Sequence, residues 1–361
     1  MISNQVIQKT LDKIKIITGA DLAVLGLNGA VIVRTFTDED IDADRVSSFA
    51  ASSNDEDDIG GYRLFKVRED SRDEFLLAVR KSGRDEKLIG AMARFQIETL
   101  LIAYKERFDR DNFFKSLLMD NMLMIDIFDR AKKLHIDTEA YRAVLIIDTE
   151  NRRHSDVVEA VRTIFMNSSE DFVTAINRKD VIAIKRVDSA SSYAQLENVA
   201  SKIEAAVSRD GKGIVRISYG TIVADLKEVS MSYKEARMAM DVSRIFFEER
   251  SINPYNRLDI GRLIYQLPMP LCRLFIDETF SGINIEDMDD ETLTTINKFF
   301  ENSLNVSETS RQLYIHRNTL VYRLDKIQKI TGLDLRIFED AITFKIALMV
   351  SRYMKFMENK K

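Results

Sequence analysis

The sequence predicts an α+β chain of several domains: a small mixed domain, a long connecting helix, an open α/β sandwich and an all-helical C-terminal segment. Three observations carry this prediction. Mixed strand-like and helix-like apolar patterns fill two separate blocks, about 1–93 and 137–260, each the size of a small domain. Between them, Arg94 to Lys133 runs without a Gly or Pro. All three prolines, Pro254, Pro268 and Pro270, cluster ahead of the last block and mark a join. At 361 residues the chain exceeds a single ordinary core, so two or three domains are expected.

In the first block, Ile2, Val6, Ile7, Leu11, Ile14 and Ile17 share a helix face that Gly19 ends. The apolar runs Leu22–Leu25 and Ala30–Val33 flank Asn28-Gly29, the strongest short hairpin signal. Asp38 to Arg45 opens a short helix through Phe49, and Asp55-Glu-Asp-Asp58 is predicted as a solvated loop ending in Gly60-Gly61. It lacks the alternating spacing and glycine of a calcium loop. Tyr62–Arg68 and Phe75–Lys81 are two further strands, joined by a charged turn over 69–73. Arg34, Arg63 and Arg80 lie on strands or their ends, where they can meet an anionic effector or face water. The order helix, two strands, helix, two strands, helix is similar to the PAS or GAF group, which implies a ligand-sensing domain over 1–93.

The next stretch repeats apolar residues at Phe95, Ile97, Leu101, Tyr104 and Phe108, then at Phe114, Leu118, Met122 and Ile125. From Ile97 the intervals of 4, 3 and 4 are those of a coiled-coil seam, which breaks at Asp111-Asn112. A long helical linker over 94–134 is expected, either pairing two copies or packing within one chain.

In the second block, Tyr141–Asp148 is a near-continuous apolar run, as for a strand buried on both faces. A helix at about 156–167 follows, then a hairpin of Phe172–Asn177 and Val181–Val187 around Arg178-Lys179-Asp180. Ser192–Ser208 is a helix, Gly213–Thr221 a strand and Lys227–Ile245 a helix. This β-α-β-β-α-β-α order predicts an open sandwich with an antiparallel hairpin. It is similar to the GGDEF-type fold of nucleotide cyclases, and Tyr219-Gly-Thr221 with Ser232-Tyr-Lys-Glu-Ala236 resembles a degenerate version of it, over 137–260. The resemblance implies that an active cyclase would carry glycines at the hairpin turn and carboxylates for its metal. The turn Asn177-Arg178-Lys179-Asp180 has no glycine and two basic residues. Asp148, at the end of the first strand, reads as a lone carboxylate that cannot hold two magnesium ions. No catalysis is expected. Short helices are predicted over Gly261–Gln266 and Leu271–Thr279.

The C-terminal block reads as two helices joined by a tight turn. Ser307 is predicted to cap a helix starting near Glu308, with Val306, Ser310 and Leu313 on one face. Tyr314-Ile315-His316 makes the turn. A second helix runs from Arg317 to about Ile330, with Leu320, Leu324, Ile327 and Ile330 inward and Arg317, Asn318, Tyr322, Arg323, Lys326 and Lys329 outward. Residues 306–330 hold five Lys/Arg against two Asp/Glu, +3 within a chain of −5, a sign reversal that suits a polyanion. His316-Arg-Asn-Thr-Leu-Val-Tyr-Arg-Leu-Asp-Lys-Ile327, followed by Thr331-Gly-Leu-Asp334, closely resembles the C-terminal helix-turn-helix of the PucR/CdaR family, bacterial regulators of purine-catabolism and sugar-diacid genes. Ser310 stands where that family usually has Ala. The resemblance implies a DNA-binding domain over 285–357 and places the 1–93 block where sugar-diacid regulators keep their recognition domain.

Other chemistry is thinly represented. One cysteine, Cys272, excludes internal disulfides and multi-thiolate metal sites and is expected to be a buried small hydrophobe. His135, His154 and His316 have no metal-ligand spacing. Gly211-Lys212-Gly213 precedes a strand instead of opening a helix, so it is a turn and not a phosphate loop. With no 18-residue apolar stretch and no basic-then-apolar leader, a cytoplasmic protein without cofactor or metal is expected. The sequence therefore reads as a homodimeric regulator of a catabolic operon, with double-stranded operator DNA and a small-molecule effector as partners. Paired recognition helices suit palindromic operators. His316, Arg317, Asn318 and Thr319 would enter the groove, and Tyr322, Arg323 and Lys326 would touch bases or backbone further along. Thr309 and Arg311 would touch phosphate from the supporting helix. The alternative is a nucleotide-binding or cyclase-like protein whose C-terminal helices serve assembly.

Overall fold

Strands whose successive side chains point to opposite faces build the first of two units, Met1–Phe114 and Lys115–Lys361. The computed structural model describes residues 2–37, 41–69, 71–80, 85–149, 152–166, 168, 170–177, 179–208, 215–247, 249–280 and 288–360. The first unit contains α1 (Asn4–Thr18), β1 (Leu22–Leu25), β2 (Val31–Arg34), α2 (Ala43–Ala51), β3 (Glu56–Ile59), β4 (Tyr62–Glu69) and β5 (Arg72–Arg80). α3 (Glu86–Leu118) follows and continues into the second unit. The sheet is antiparallel in the order β2-β1-β5-β4-β3. Leu22, Val24, Phe65, Val67, Leu77 and Val79 meet α1 and α3 on one face. Ala23, Leu25, Leu64, Leu76 and Ala78 meet Val46 and Phe49 of α2 on the other. α3 lies so close to β4 that a Cβ on Gly90 would stand 2.0 Å from the Phe65 ring. Only glycine permits that approach.

Three expectations change here. Residues 56–59 are not a solvated loop but the edge strand β3, paired with β4. Its carboxylates are matched by cations: Asp58 with Arg63 at 2.9 Å and Glu56 with Lys87 at 2.7 Å. Charge on an edge strand also discourages pairing with foreign strands. Ile17, placed inward by periodicity, is exposed, because at 100° per residue it lies about 120° round the helix from buried Leu11. The connecting helix begins at Glu86 and stops at Leu118, and a separate α4 (Met124–Lys133) follows. The break needs no Gly or Pro: Asp120 takes a left-handed φ of 59°, which Asp tolerates better than most residues, and its carboxylate binds Lys234 at 2.6 Å. Residues 38–40 of the acidic stretch, Asp70, and Lys81 at the end of the predicted strand lie outside the described residues.

In the second unit, β6 (Arg142–Asp148) is buried along its whole length, as its apolar run requires. It sits at the centre of a sheet ordered β10-β9-β6-β8-β7, with β7 Phe172–Thr174, β8 Asp180–Arg186, β9 Ile217–Tyr219 and β10 Ile252–Pro254. All pairs are antiparallel except β9 with β10. α5 (His154–Phe165) and α6 (Tyr193–Val207) pack on one face through Val157, Val161, Leu196, Ala200 and Ile203. α7 (Val229–Phe246) covers the other, where the Ser218 hydroxyl donates to the Ala236 carbonyl at 2.8 Å. β10 lies in what the prolines marked as a linker. It is a three-residue edge strand ending in Pro254, a position that proline allows. Gly211-Lys212-Gly213, the start of the predicted β9 strand, Arg178 and residues 281–287 lie outside the described residues.

The remainder is helical: α8 (Asp259–Tyr265), α9 (Met269–Phe280), α10 (Asp290–Glu301), α11 (Val306–Gln312), α12 (Arg317–Thr331) and α13 (Phe338–Asn359). α13 contributes to two cores. Phe344, Ala347 and Leu348 pack with Ile296, Phe299, Leu320, Leu324 and Ile327, whereas Met349, Val350 and Tyr353 pack with Ile245, Ile264 and Cys272. Burial pushes the Cys272 thiol up, as expected for a packing cysteine. Among the described residues, no helix is long and apolar enough to cross a membrane.

Candidate nucleic-acid interface

α11 and α12 form the helix-turn-helix. Asn305, not Ser307, caps α11, its side chain accepting the Glu308 N–H at 3.0 Å. The helix therefore begins at Val306, and its inward positions are Val306, Thr309, Ser310 and Leu313, the i, i+3, i+4, i+7 set of one face. This corrects the assignment of Thr309 to phosphate. Its side chain is buried, with Oγ1 lacking a hydrogen-bond partner. The turn passes through Tyr314 in a left-handed conformation (φ 54°), and its ring is 96% exposed beside the start of α12. Sequence reading used Tyr314 only as a turn residue. Nothing in its neighbours predicts so complete a projection.

His316 opens α12 as its cap, Nδ1 accepting the Asn318 N–H at 3.2 Å. It thus orients the helix start as well as lying on it. The buried stripe is Leu320, Leu324, Ile327 and Thr331. Ile330, expected inward, is partly exposed, because the stripe keeps intervals of 4, 3 and 4. At 100° per residue, the opposite face carries Asn318, Tyr322, Asp325 and Lys329. His316, Arg317, Asn318, Thr319 and Tyr322 are all exposed, together with Tyr314.

The cations divide into two sets. Arg323 sits on the flank of the buried stripe and turns onto α10, donating to the Thr295 hydroxyl at 3.1 Å and pairing with Glu291. Lys326 approaches Asp289 at 3.8 Å. Asp289 caps α10, and the Thr292 main-chain N–H, then its side chain, with Lys326 adding charge, hold its carboxyl below the usual range. Through these contacts Arg323 braces α12 against α10. Arg311 is exposed but forms an i,i+3 pair with Glu308 at 2.6 Å. Arg317 and Lys329 have no ion pair among the described residues, so they are the cations free to meet phosphate or a base edge.

The sandwich edge holds a second cluster. Asp148 on β6 faces Asp180 on β8 across the ladder, and both are buried. Asp148 is therefore not alone, contrary to the sequence reading. Each acid is neutralised from α7: Arg244 reaches Asp148 and Arg237 reaches Asp180, both at 2.7 Å. Seven residues apart, the two arginines share one helix face. Burial works against both guanidinium charges, but the hydrogen bonds they donate outweigh it, Arg237 to the Tyr233 hydroxyl oxygen and Asp180, and Arg244 to Asp148. Both are held above their ordinary values. Asp241, also buried, accepts from the Tyr265 hydroxyl at 2.6 Å and from Lys360 at 2.7 Å. A cavity of about 570 Å³ opens here, lined by Asp148, Thr149, Lys179, Asp241, Arg244, Phe356, Asn359 and Lys360. The carboxylates that a catalytic magnesium would need are committed to arginine, and the lining adds two lysines. The donor set does not fit a divalent metal. Among the described residues, no group of three or more His, Cys, Asp or Glu is placed to hold a metal ion.

Residues 292–350 match the PucR C-terminal helix-turn-helix domain, and residues 122–242 match the GGDEF-like domain. The chain is 27% identical over 174 residues to the purine catabolism regulatory protein of Bacillus subtilis (strain 168), covering 48% of this chain and 33% of that protein. It is 25% identical over 241 residues to the carbohydrate diacid regulator of Escherichia coli (strain K12), covering 61% and 60%. It is 30% identical over 126 residues to the DNA-binding transcriptional activator AdeR of Bacillus subtilis (strain 168), covering 34% and 30%. The match thus spans from about a third to three fifths of the length of these relatives. The chain thus carries a PucR-type helix-turn-helix after a GGDEF-like domain, and in both it is similar to regulators of the PucR/CdaR type.

Proposed function

We propose that this chain is a sequence-specific transcriptional regulator of a metabolic operon, acting as a cytoplasmic homodimer on double-stranded operator DNA. The observation that carries this reading is the exposed start of α12, where Arg317, Asn318 and Thr319 project around the His316 cap. Recognition helices present their N-terminal residues to base edges in the major groove. Arg can bond guanine O6 and N7, and Asn can bond adenine N6 and N7. Tyr322 extends the same face, Tyr314 and Arg311 lie at its margin for phosphate, and Lys326 and Lys329 follow one to two turns on. The five-stranded N-terminal unit, with helices on both sheet faces, supports a PAS/GAF-like sensor for a small-molecule effector. The relatives named for purine catabolism and for carbohydrate diacids indicate which catabolic effectors to try first.

The competing cyclase-like reading is disfavoured by the arginine pairs on Asp148 and Asp180. Incubation with GTP or ATP and magnesium is expected to give no cyclic or linear dinucleotide product. The function itself is tested by titrating the chain onto DNA from upstream of its own and adjacent genes. Arg317→Ala and Asn318→Ala are each expected to cost about 1–3 kcal/mol of base discrimination. Titrations of both variants that match wild type would refute the assignment.

A further inference from the structure

α3 has two apolar faces, and the first unit uses only one of them. Ala93, Ile97 and Leu101 are buried against the sheet. These include the residues whose spacing suggested a coiled-coil seam, so that stripe belongs to the core of the unit. Turned away from the sheet, Leu88, Met92, Phe95 and Ile102 are 59%, 62%, 71% and 57% exposed. With exposed Thr99 they repeat at intervals of 4, 3, 4 and 3, the heptad spacing of a helix-to-helix seam. No exposed residue from Leu88 to Ala103 is charged, in a chain whose residues are 31% charged. The two charged side chains of this stretch, Arg94 and Glu98, lie to the flank, 4.0 Å apart, and Glu98 accepts the Arg68 N–H. A helix face left to water ordinarily collects charge. Its removal over more than four turns has no explanation within the unit.

We infer that this outward stripe is the seam through which two copies of the chain pair, α3 against α3 across a two-fold axis. A heptad stripe is complementary to another of the same spacing, and a two-fold interface sets the same patch against itself. The stripe ends where the next two seam positions become Glu106 and Asp109, so its length is defined. Sixteen residues span roughly 24 Å at 1.5 Å per residue. With helix axes 8–10 Å apart, the strip covers roughly 200–250 Å², close to the size at which exposed apolar patches mark interaction sites. A stable interface buries about 800 Å² per partner, so the stripe forms the apolar centre of a wider contact. The inference deepens the dimeric reading above.

Sedimentation of the full chain at low micromolar concentration, without DNA, tests the seam separately from operator binding. The wild-type chain should sediment as a dimer, and Met92→Glu and Phe95→Glu should each weaken dimerisation at least tenfold. Both positions face water, so the far-ultraviolet circular dichroism should not change. As a second readout, Phe95→Cys should be joined into a covalent dimer by a short bismaleimide, since the only native cysteine is buried. Ser48→Cys, on α2 across the sheet, should not. A monomeric wild-type chain, variants that dimerise like wild type, or equal cross-linking at both cysteines would overturn the inference.

Discussion

Thr309 illustrates how one residue's role turns on a two-residue shift in a helix start. With Asn305 as the cap, Thr309 faces the core and its hydroxyl has no partner. A buried hydroxyl without a hydrogen bond costs free energy. Thr309→Val is therefore expected to leave DNA affinity unchanged and to keep or raise stability, by up to about 1 kcal/mol in a denaturant titration. A large loss of DNA affinity in a folded Thr309→Val would restore the phosphate role. The bracing contact of Arg323 with α10 is hidden from the sequence for a related reason. Counting along the sequence sets it among the outward charges, but at 100° per residue it falls beside the buried stripe, where Glu291 can reach it. Neither Glu291 nor Asp289 is close to α12 in sequence, so no local pattern announces these pairs.

Among elements, the periodic ones were legible and the breaks were not. β1, β2, β6 and β8 appear where apolar runs end at turn residues, and α12 follows its inward leucines. The edge strands β3 and β10 were hidden because three or four residues, acidic or ending in proline, carry no apolar alternation. They are held by backbone pairing to a neighbour. The stop after Leu118 was hidden because it is made by a left-handed Asp120 and local backbone hydrogen bonds, with no Gly or Pro to mark it. Cap assignment gives an element-scale prediction. Asn305→Ala should destabilise the protein by about 1 kcal/mol, and Ser307→Ala by much less. Equal losses in chemical denaturation would contradict the placement of the α11 start.

At the scale of the whole molecule, α13 ties the helix-turn-helix core to the core beside α7. The part of the chain from Lys115 onward is therefore expected to melt in one cooperative transition, with near-ultraviolet and far-ultraviolet signals coincident. Separate transitions for the GGDEF-like and C-terminal domains would show the shared helix to be a weak tie. The sequence identified the C-terminal motif through its wording, and composition set the sign of its partner, because a local charge of +3 stands out in an acidic chain. The fate of the sandwich site was only half legible. The glycine-free turn was visible, whereas the arginines that occupy its acids come from α7, 57 and 96 residues away in sequence.

The central claim, that α12 reads bases, is tested most directly by comparing the affinity of the full chain for an upstream operator fragment with that for a shuffled duplex of equal length. Both are measured by fluorescence anisotropy at several salt concentrations. The operator is expected to be preferred by at least about a thousandfold at physiological salt, with both affinities falling as salt rises and the preference reduced in Asn318→Ala. Equal affinity for the two duplexes at every salt concentration would contradict it.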